Sequence, residues 1–393
     1  MRFQIESVET LIVRLPARTD FRWLSLSRPL GEFVLVRISG QGVEGWGEVV
    51  GLRDWGDADG RRHGETPGTI CSLVHEYLAP TLFDGPLTVG ELAARLDEVV
   101  VGNPYAKALI DIAFHDLTGR ALGVPVHALL GGRSRDVVPV AHMIGLMNDD
   151  EAVAEGQAAI ADGVKALQVK GGRDAVRDAS VIRRLREELG EGVLLRLDAN
   201  GGYAGRVNAQ RALEALADAG ADLVEQPLLG LAELEAAHAM SPLPIVADEA
   251  CWTPGDALEL VRRRAADVLS VYVGKAGGMA RAREICTIAR AAGLPHDVNG
   301  ALELGIGNAA NLHVALSSPA QLLPSVIPIN APTGTALTTT AGRYFEDDIV
   351  TAPFVYRDGG LCAVDTPGLG IEVDIEKVEH YCVDRHASRK RTS

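Results

Sequence analysis

The chain has 393 residues, 47% of them apolar and 23% charged, with 43 Gly and 19 Pro. This composition excludes a disordered or collagen-like polymer and leaves room for two or three folding units, or one barrel with an attachment. Acidic residues outnumber basic ones 53 to 38, for a formal charge of −15; such a surface repels phosphate backbones and anionic lipid, so neither nucleic acid nor membrane is an expected partner. Cys71, Cys251, Cys286, Cys362 and Cys382 are scattered without C-x-x-C spacing, which argues against a disulfide framework or a zinc site and makes a reducing cytoplasm the expected compartment.

Residues 2–14 and 32–49 alternate as strands, with Gly40-Gln41-Gly42 as a hairpin connection. Residues 66–121 turn helical, with apolar residues at three- and four-residue spacing and Asn103-Pro104 at a helix entrance. The first 130 or so residues therefore read as an α+β unit. From Val137 onward eight short β-rich runs alternate with Ala/Leu/Arg-rich helices: 137–145, 165–171, 193–200, 223–227, 244–250, 268–275, 294–300 and 322–330. Eight β/α repeats without a dinucleotide-binding glycine fingerprint predict a closed parallel barrel. Residues 352–376 read as hairpin strands around Asp358-Gly359-Gly360 that rejoin the amino-terminal unit.

Barrel active sites collect at the carboxyl ends of strands. There the third run ends in Asp198, the fourth in Glu225 and the fifth in Asp248, 27 and 23 residues apart. Three carboxylates converging on one point repel unless neutralised, and hard oxygen ligands suit Mg²⁺, with Mn²⁺ as a substitute. The competing reading makes each acid a helix N-cap or an ion-pair partner. One strand earlier Lys170 closes the run ALQVK; a shielded lysine beside such a centre can serve as a general base, the alternative being a lysine that reaches solvent or pairs with Asp198. Asn200, two beyond Asp198, is placed to orient ligands.

The order Lys170, Asp198-Ala-Asn200, Glu225-Gln-Pro, Asp248-Glu249 and Gly277-Gly278, preceded by AKALIDIAFHDLTGRALGVPVHALLGG (106–132) and followed by DTPGLGIEVD (365–374), resembles the muconate-lactonizing-enzyme subgroup of the enolase superfamily over essentially the whole chain. The resemblance implies an α/β fold: an α+β capping domain (1–130), a modified (β/α)7–8 TIM-like barrel (131–340) and a carboxyl-terminal segment (341–393) returning to the cap. It also implies Mg²⁺ held by Asp198, Glu225 and Asp248, a small carboxylate substrate whose α proton is moved through an enediolate, and a homo-oligomer.

Two departures from that pattern matter. The subgroup's Lys-x-Lys reads here Gln168-Val169-Lys170, and the opposing lysine of the sixth strand is replaced by Tyr272. Lys275 matches an accessory lysine, either lending charge from a loop or standing exposed. Asn299 stands where relatives of the mandelate racemase kind carry a catalytic histidine, which leaves His296 and Asp297 as structural or surface residues. Without a neighbouring ammonium, Lys170 should keep a higher pKa than in relatives with both lysines. A single lysine suits cycloisomerisation or syn β-elimination, with Lys170 as acid/base, Gln168 beside it and Tyr272 as donor. A racemase or epimerase of an amino-acid derivative, a Schiff-base aldolase through Lys170 and a catalytically degenerate ligand-binding barrel are the alternatives. Glu303 matches a family acid near the pocket, and Pro328-Ile329-Asn330 is placed to shape it. Loops 16–31 and 50–64 carry Arg22, Trp23, Trp55, Arg61, Arg62 and His63, aromatics to close over an apolar substrate portion and arginines to grip a distal carboxylate.

Overall fold

The computed structural model describes residues 1–23, 31–56, 63–319, 321–335 and 339–390. Strands Ser7–Arg14, Glu32–Gly40 and Val43–Val50 form an antiparallel sheet whose free edge is taken by the carboxyl-terminal strand Cys382–Arg389. The Glu32–Gly40 and Val43–Val50 strands turn on Gln41 and Gly42, both at positive φ, as a two-residue hairpin loop demands. Helix Pro104–Leu122 lies across this sheet, its start set by Pro104 and its end by Gly123 in the left-handed conformation. Their approach is close because Gly45 and Gly47 have no side chain: a Cβ on Gly47 would lie 2.2 Å from the carbonyl oxygen of Leu109.

Seven parallel strands follow in sequential spatial order: His142–Ile144, Ala166–Lys170, Leu194–Asp198, Leu223–Glu225, Ile245–Ala247, Val268–Tyr272 and His296–Asn299. The eighth run (322–330) is no ladder strand among the described residues. It closes the ring through single bridges, Leu322 to His296 and Ser325 to Val140. The reason is in its composition: Pro324 and Pro328 remove two backbone donors that a central strand would need. Pro139 likewise splits the first run. Its leading half, Val137–Pro139, joins Gly360–Cys362 and Tyr356–Arg357 in a separate three-stranded sheet. The 356–362 hairpin thus lies at the barrel rather than in the amino-terminal sheet, which is rejoined by the later strand Cys382–Arg389.

The α+β unit is bolted to the barrel by buried carboxylates that bind backbone amides. Glu48 accepts from Leu304 and Gly307 at the start of helix Gly305–Ser317, at 2.6 and 2.8 Å, where the amides that helix geometry leaves unpaired attract negative charge. Asp111 accepts from Met279 at 2.5 Å. The amide of Leu146 donates to the carbonyl of Arg22 at 2.7 Å, which sets Trp23 at the barrel mouth. Among the described residues no helix is long and apolar enough to cross a membrane.

Candidate active site

In strands, side chains alternate between faces, so residues on neighbouring strands that pair in register share one face. Lys170 pairs with Asp198, and Asp198 with Glu225, placing these three side by side at the carboxyl end of the barrel. Asp248 follows the fifth strand one residue beyond its end. All three acids are fully buried.

Burial of charge requires partners, and each acid has them. Lys170 Nζ lies 2.5 Å from Asp198 Oδ2. Gln168 Nε2 donates to Glu225 Oε2 at 2.8 Å and to Asp198 Oδ2 at 3.4 Å. Arg196, two residues before Asp198 on the same face, sets Nε 3.2 Å from Glu225 Oε2 and reaches across the barrel to Asp297. Lys275 Nζ lies 2.5 Å from Asp248 Oδ1 and donates to the carbonyls of Asp248 and Ser270 at 2.8 and 3.0 Å. Turned to these groups, the acids do not gather as they stand: among the described residues no three His, Cys, Asp or Glu side chains form a group that could hold an ion. Three acceptor atoms at this end are nevertheless buried without a donor, Glu225 Oε1, Asn200 Oδ1 and Glu249 Oε2. Oxygen acceptors left unpaired in one buried acidic region are the atoms a hard divalent cation would satisfy, and the donor set fits Mg²⁺.

The electrostatics follow from this crowding. Burial pushes the Glu225 carboxyl well above the usual range, Arg196 drawing it down and Asp198 and Asp248 pushing it up. Burial, then Asp248 and Asp198, raise Glu249 to about 8. For Lys170 burial works against the ammonium, but Asp198 and Glu225 outweigh it and hold the group above the ordinary lysine value. Tyr272 is pushed well above an ordinary phenol by burial and by the surrounding acids, so its hydroxyl keeps its proton.

A cavity with about 430 Å³ of space, its open mouth included, is lined by Gln168, Lys170, Asn200, Asp248 and Tyr272 together with Trp23, Leu52 and Trp55 from the α+β unit. Six of the expected residues beside Asp248 therefore meet at one cavity: Gln168, Lys170, Asn200, Tyr272, Trp23 and Trp55. The ring of Trp23 stands 5.7 Å from Lys170 Nζ. Trp55 packs against Tyr272 and Trp252 with ring centroids 5.3 and 5.1 Å apart and donates from Nε1 to Glu249 Oε1 at 3.3 Å.

Other expected residues fall elsewhere. Lys275 is neither exposed nor on a free loop; it is 1% exposed beneath Asp248. Asn299 bonds Ser270 Oγ, Asp297 Oδ1 and the amide of Val326, stitching the seventh strand to its neighbours instead of facing substrate. Glu303 sits behind Gly300, a cavity residue whose added Cβ would meet Glu303 Oε2 at 2.1 Å; burial raises its carboxyl to about 7. Asn330 bonds the carbonyl of Glu303 and the amide of Tyr344 rather than shaping the wall directly. His296 and Asp297 are fully buried, not surface residues. Arg22 pairs with Asp20 and is not among the residues that line the cavity, and His63 is exposed; Arg61 and Arg62 lie outside the described residues.

Sequence reasoning missed Arg196, legible as a charge at period two from Asp198, and Gln226. The latter holds φ at +39° and accepts from the amides of Asp248 and Ala250 at 2.9 and 3.2 Å, fixing where the fifth strand delivers its acid.

Residues 151–378 match the enolase C-terminal domain-like family, and residues 9–131 match the mandelate racemase / muconate lactonizing enzyme N-terminal domain. Muconate cycloisomerase 1 of Rhodococcus opacus is 32% identical over 389 residues, covering 96% of this chain and 98% of that protein. The crystal structure of muconate lactonizing enzyme from Pseudomonas fluorescens with muconolactone superposes with a TM-score of 0.85 at 30% identity, covering 97% of this chain and 100% of that one. The N-succinyl Arg/Lys racemase structure from Bacillus cereus gives a TM-score of 0.86 at 25% identity, over 98% of this chain and 100% of that one. With both halves of the chain matched and the barrel and cap in place, the protein belongs to the enolase superfamily as a muconate-lactonizing-enzyme-like member, an enzyme of the isomerase/lyase kind.

Proposed function

We propose that the protein is a Mg²⁺-dependent isomerase or lyase that moves the proton α to the carboxylate of a small substrate, by cycloisomerisation or syn β-elimination, with Lys170 as its acid/base. The observation that carries this reading is the contrast between two buried lysines. An ammonium has three donors, and Lys275 spends all three on Asp248 Oδ1 and two carbonyls. Lys170 lines the cavity, and its ammonium bonds Asp198 there.

Asp198, Glu225 and Asp248 are the residues that would hold the Mg²⁺, and the donorless oxygen of Glu225 supports that assignment. When bound, the cation supplies positive charge to the carboxylate oxygens of the substrate, where negative charge grows as the α carbon changes its protonation. Lys170 Nζ holds the proton that moves: as ammonium it delivers it to the α carbon in a cycloisomerisation, and as the neutral amine it takes it in an elimination. Tyr272, kept protonated, donates a hydrogen bond and does not accept the α proton. Trp23, Trp55 and Leu52 give the cavity an apolar wall on the side of the α+β unit.

The test compares α-proton exchange with solvent deuterium in Lys170→Ala and Tyr272→Phe with Mg²⁺ present. Loss of about 10²–10⁴-fold in the first, the usual worth of a general acid/base, with a much smaller loss in the second, supports the one-lysine reading. Equal abolition in both would instead describe a two-base racemase.

A further inference from the structure

The polarity of the cavity is divided around the ring. The second, third, fifth and sixth strands and the turns that follow them present Gln168, Lys170, Asn200, Asp248 and Tyr272, while the first strand, the loop after the seventh, the closing segment and the α+β unit present Met143, Leu302, Val326, Leu52, Trp23 and Trp55. Each of these six is 9% exposed or less. The loop that carries Leu302 is pinned in place. Leu302 holds φ at +62°, a conformation costly for any residue but glycine, and Glu48 fixes the loop by binding the amides of Leu304 and Gly307.

We infer that the substrate is a monocarboxylate with an uncharged apolar or aryl tail: its carboxylate lies on the Lys170–Asn200 side and its tail against Leu52, Met143, Leu302 and Val326. This rests on the elimination form of the proposed carboxylate chemistry, since a tail without a second nucleophilic group cannot close a ring, and adds the identity of the remainder of the molecule. A second carboxylate on the tail would be stripped of water against hydrocarbon without a partner in the described wall, which is costly. A cationic tail gains little from the indoles, because Lys170 and Lys275 already stand 5.7 Å from the rings of Trp23 and Trp55. Apolar tails instead recover the free energy of leaving water.

The experiment measures binding to the full chain with saturating Mg²⁺, by calorimetry and tryptophan fluorescence, for hexanoate, 4-phenylbutanoate, adipate and 6-aminohexanoate, and follows deuterium uptake at the α carbon separately. The expected result is that hexanoate and 4-phenylbutanoate bind at least tenfold more tightly than adipate and 6-aminohexanoate. Leu52→Arg should close the gap for adipate by a similar factor while weakening 4-phenylbutanoate. Equal or tighter binding of adipate or 6-aminohexanoate by the unmodified protein overturns the inference, as does failure of all four to bind. The expected order of binding upholds the tail preference with or without deuterium uptake, and the Lys170→Ala and Tyr272→Phe comparison above decides the proton chemistry separately.

Discussion

Replacing Lys275 by Met isolates what the buried lysine does. The substitution keeps much of the side-chain volume and removes one charge, leaving Asp248 Oδ1 and the carbonyl of Ser270 without the lysine donor, while the carbonyl of Asp248 keeps the amide of Cys251 at 2.9 Å. Both partners are essentially inaccessible to water, so solvent cannot replace the lost bonds. Removing one member of a buried pair costs about 3–5 kcal/mol, because the surviving charge is left uncompensated. With an unfolding entropy of about 2 cal/mol/K per residue and a cooperative unit of barrel size, that is a fall in melting temperature of roughly 6–10 °C. The assay is thermal unfolding by circular dichroism, in chelator-treated protein and again with Mg²⁺. The loss should be largest after chelation and shrink when a cation among the acids replaces the missing charge on Asp248. A shift below about 2 °C after chelation, or one unchanged by Mg²⁺, would refute the view that Lys275 serves as counter-charge to Asp248.

Mg²⁺ should also raise the melting temperature of the unmodified protein, since a ligand at about 100 times its Kd adds about 2.7 kcal/mol; Asp248→Asn should abolish that gain, and a gain that survives would place the ion elsewhere. Glu65 accepts from the amides of Tyr105 and Ala106 at 2.8 and 3.0 Å, and burial raises its carboxyl from 4.5 to about 7. The folded chain therefore holds this proton more tightly than the unfolded one, so its contribution to stability is complete below pH 4.5 and falls as pH rises through 7, by about 3 kcal/mol at 1.36 kcal/mol per unit. Glu65→Gln should flatten the decline in melting temperature between pH 5 and 8, and an unchanged slope would dismiss the assignment. Gly47→Ala forces a Cβ to 2.2 Å from the carbonyl of Leu109; overpacking of this kind costs about 1–3 kcal/mol or more, and denaturation showing no loss would mean the helix can retreat freely from the sheet.

How the acids reach the site was legible in the sequence because it is a local property. A short apolar strand ending in a charged residue delivers that charge to the carboxyl end of a parallel barrel, so Asp198, Glu225, Asp248 and Lys170 announced themselves by position alone. The prolines that demote the eighth strand were equally visible, though their effect on pairing emerges only once a ladder is there to be interrupted. Tertiary structure decided which lysine is spent and which is available: nothing local to Lys275 says that its three donors meet Asp248, 27 residues earlier in the chain, and the carbonyl of Ser270. It also turned Asn299 sideways into a strand-to-strand bond and brought Trp23, Leu52 and Trp55 from another folding unit to wall the cavity. Those outcomes depend on distances between segments remote in sequence, and periodicity within one element carries no information about them.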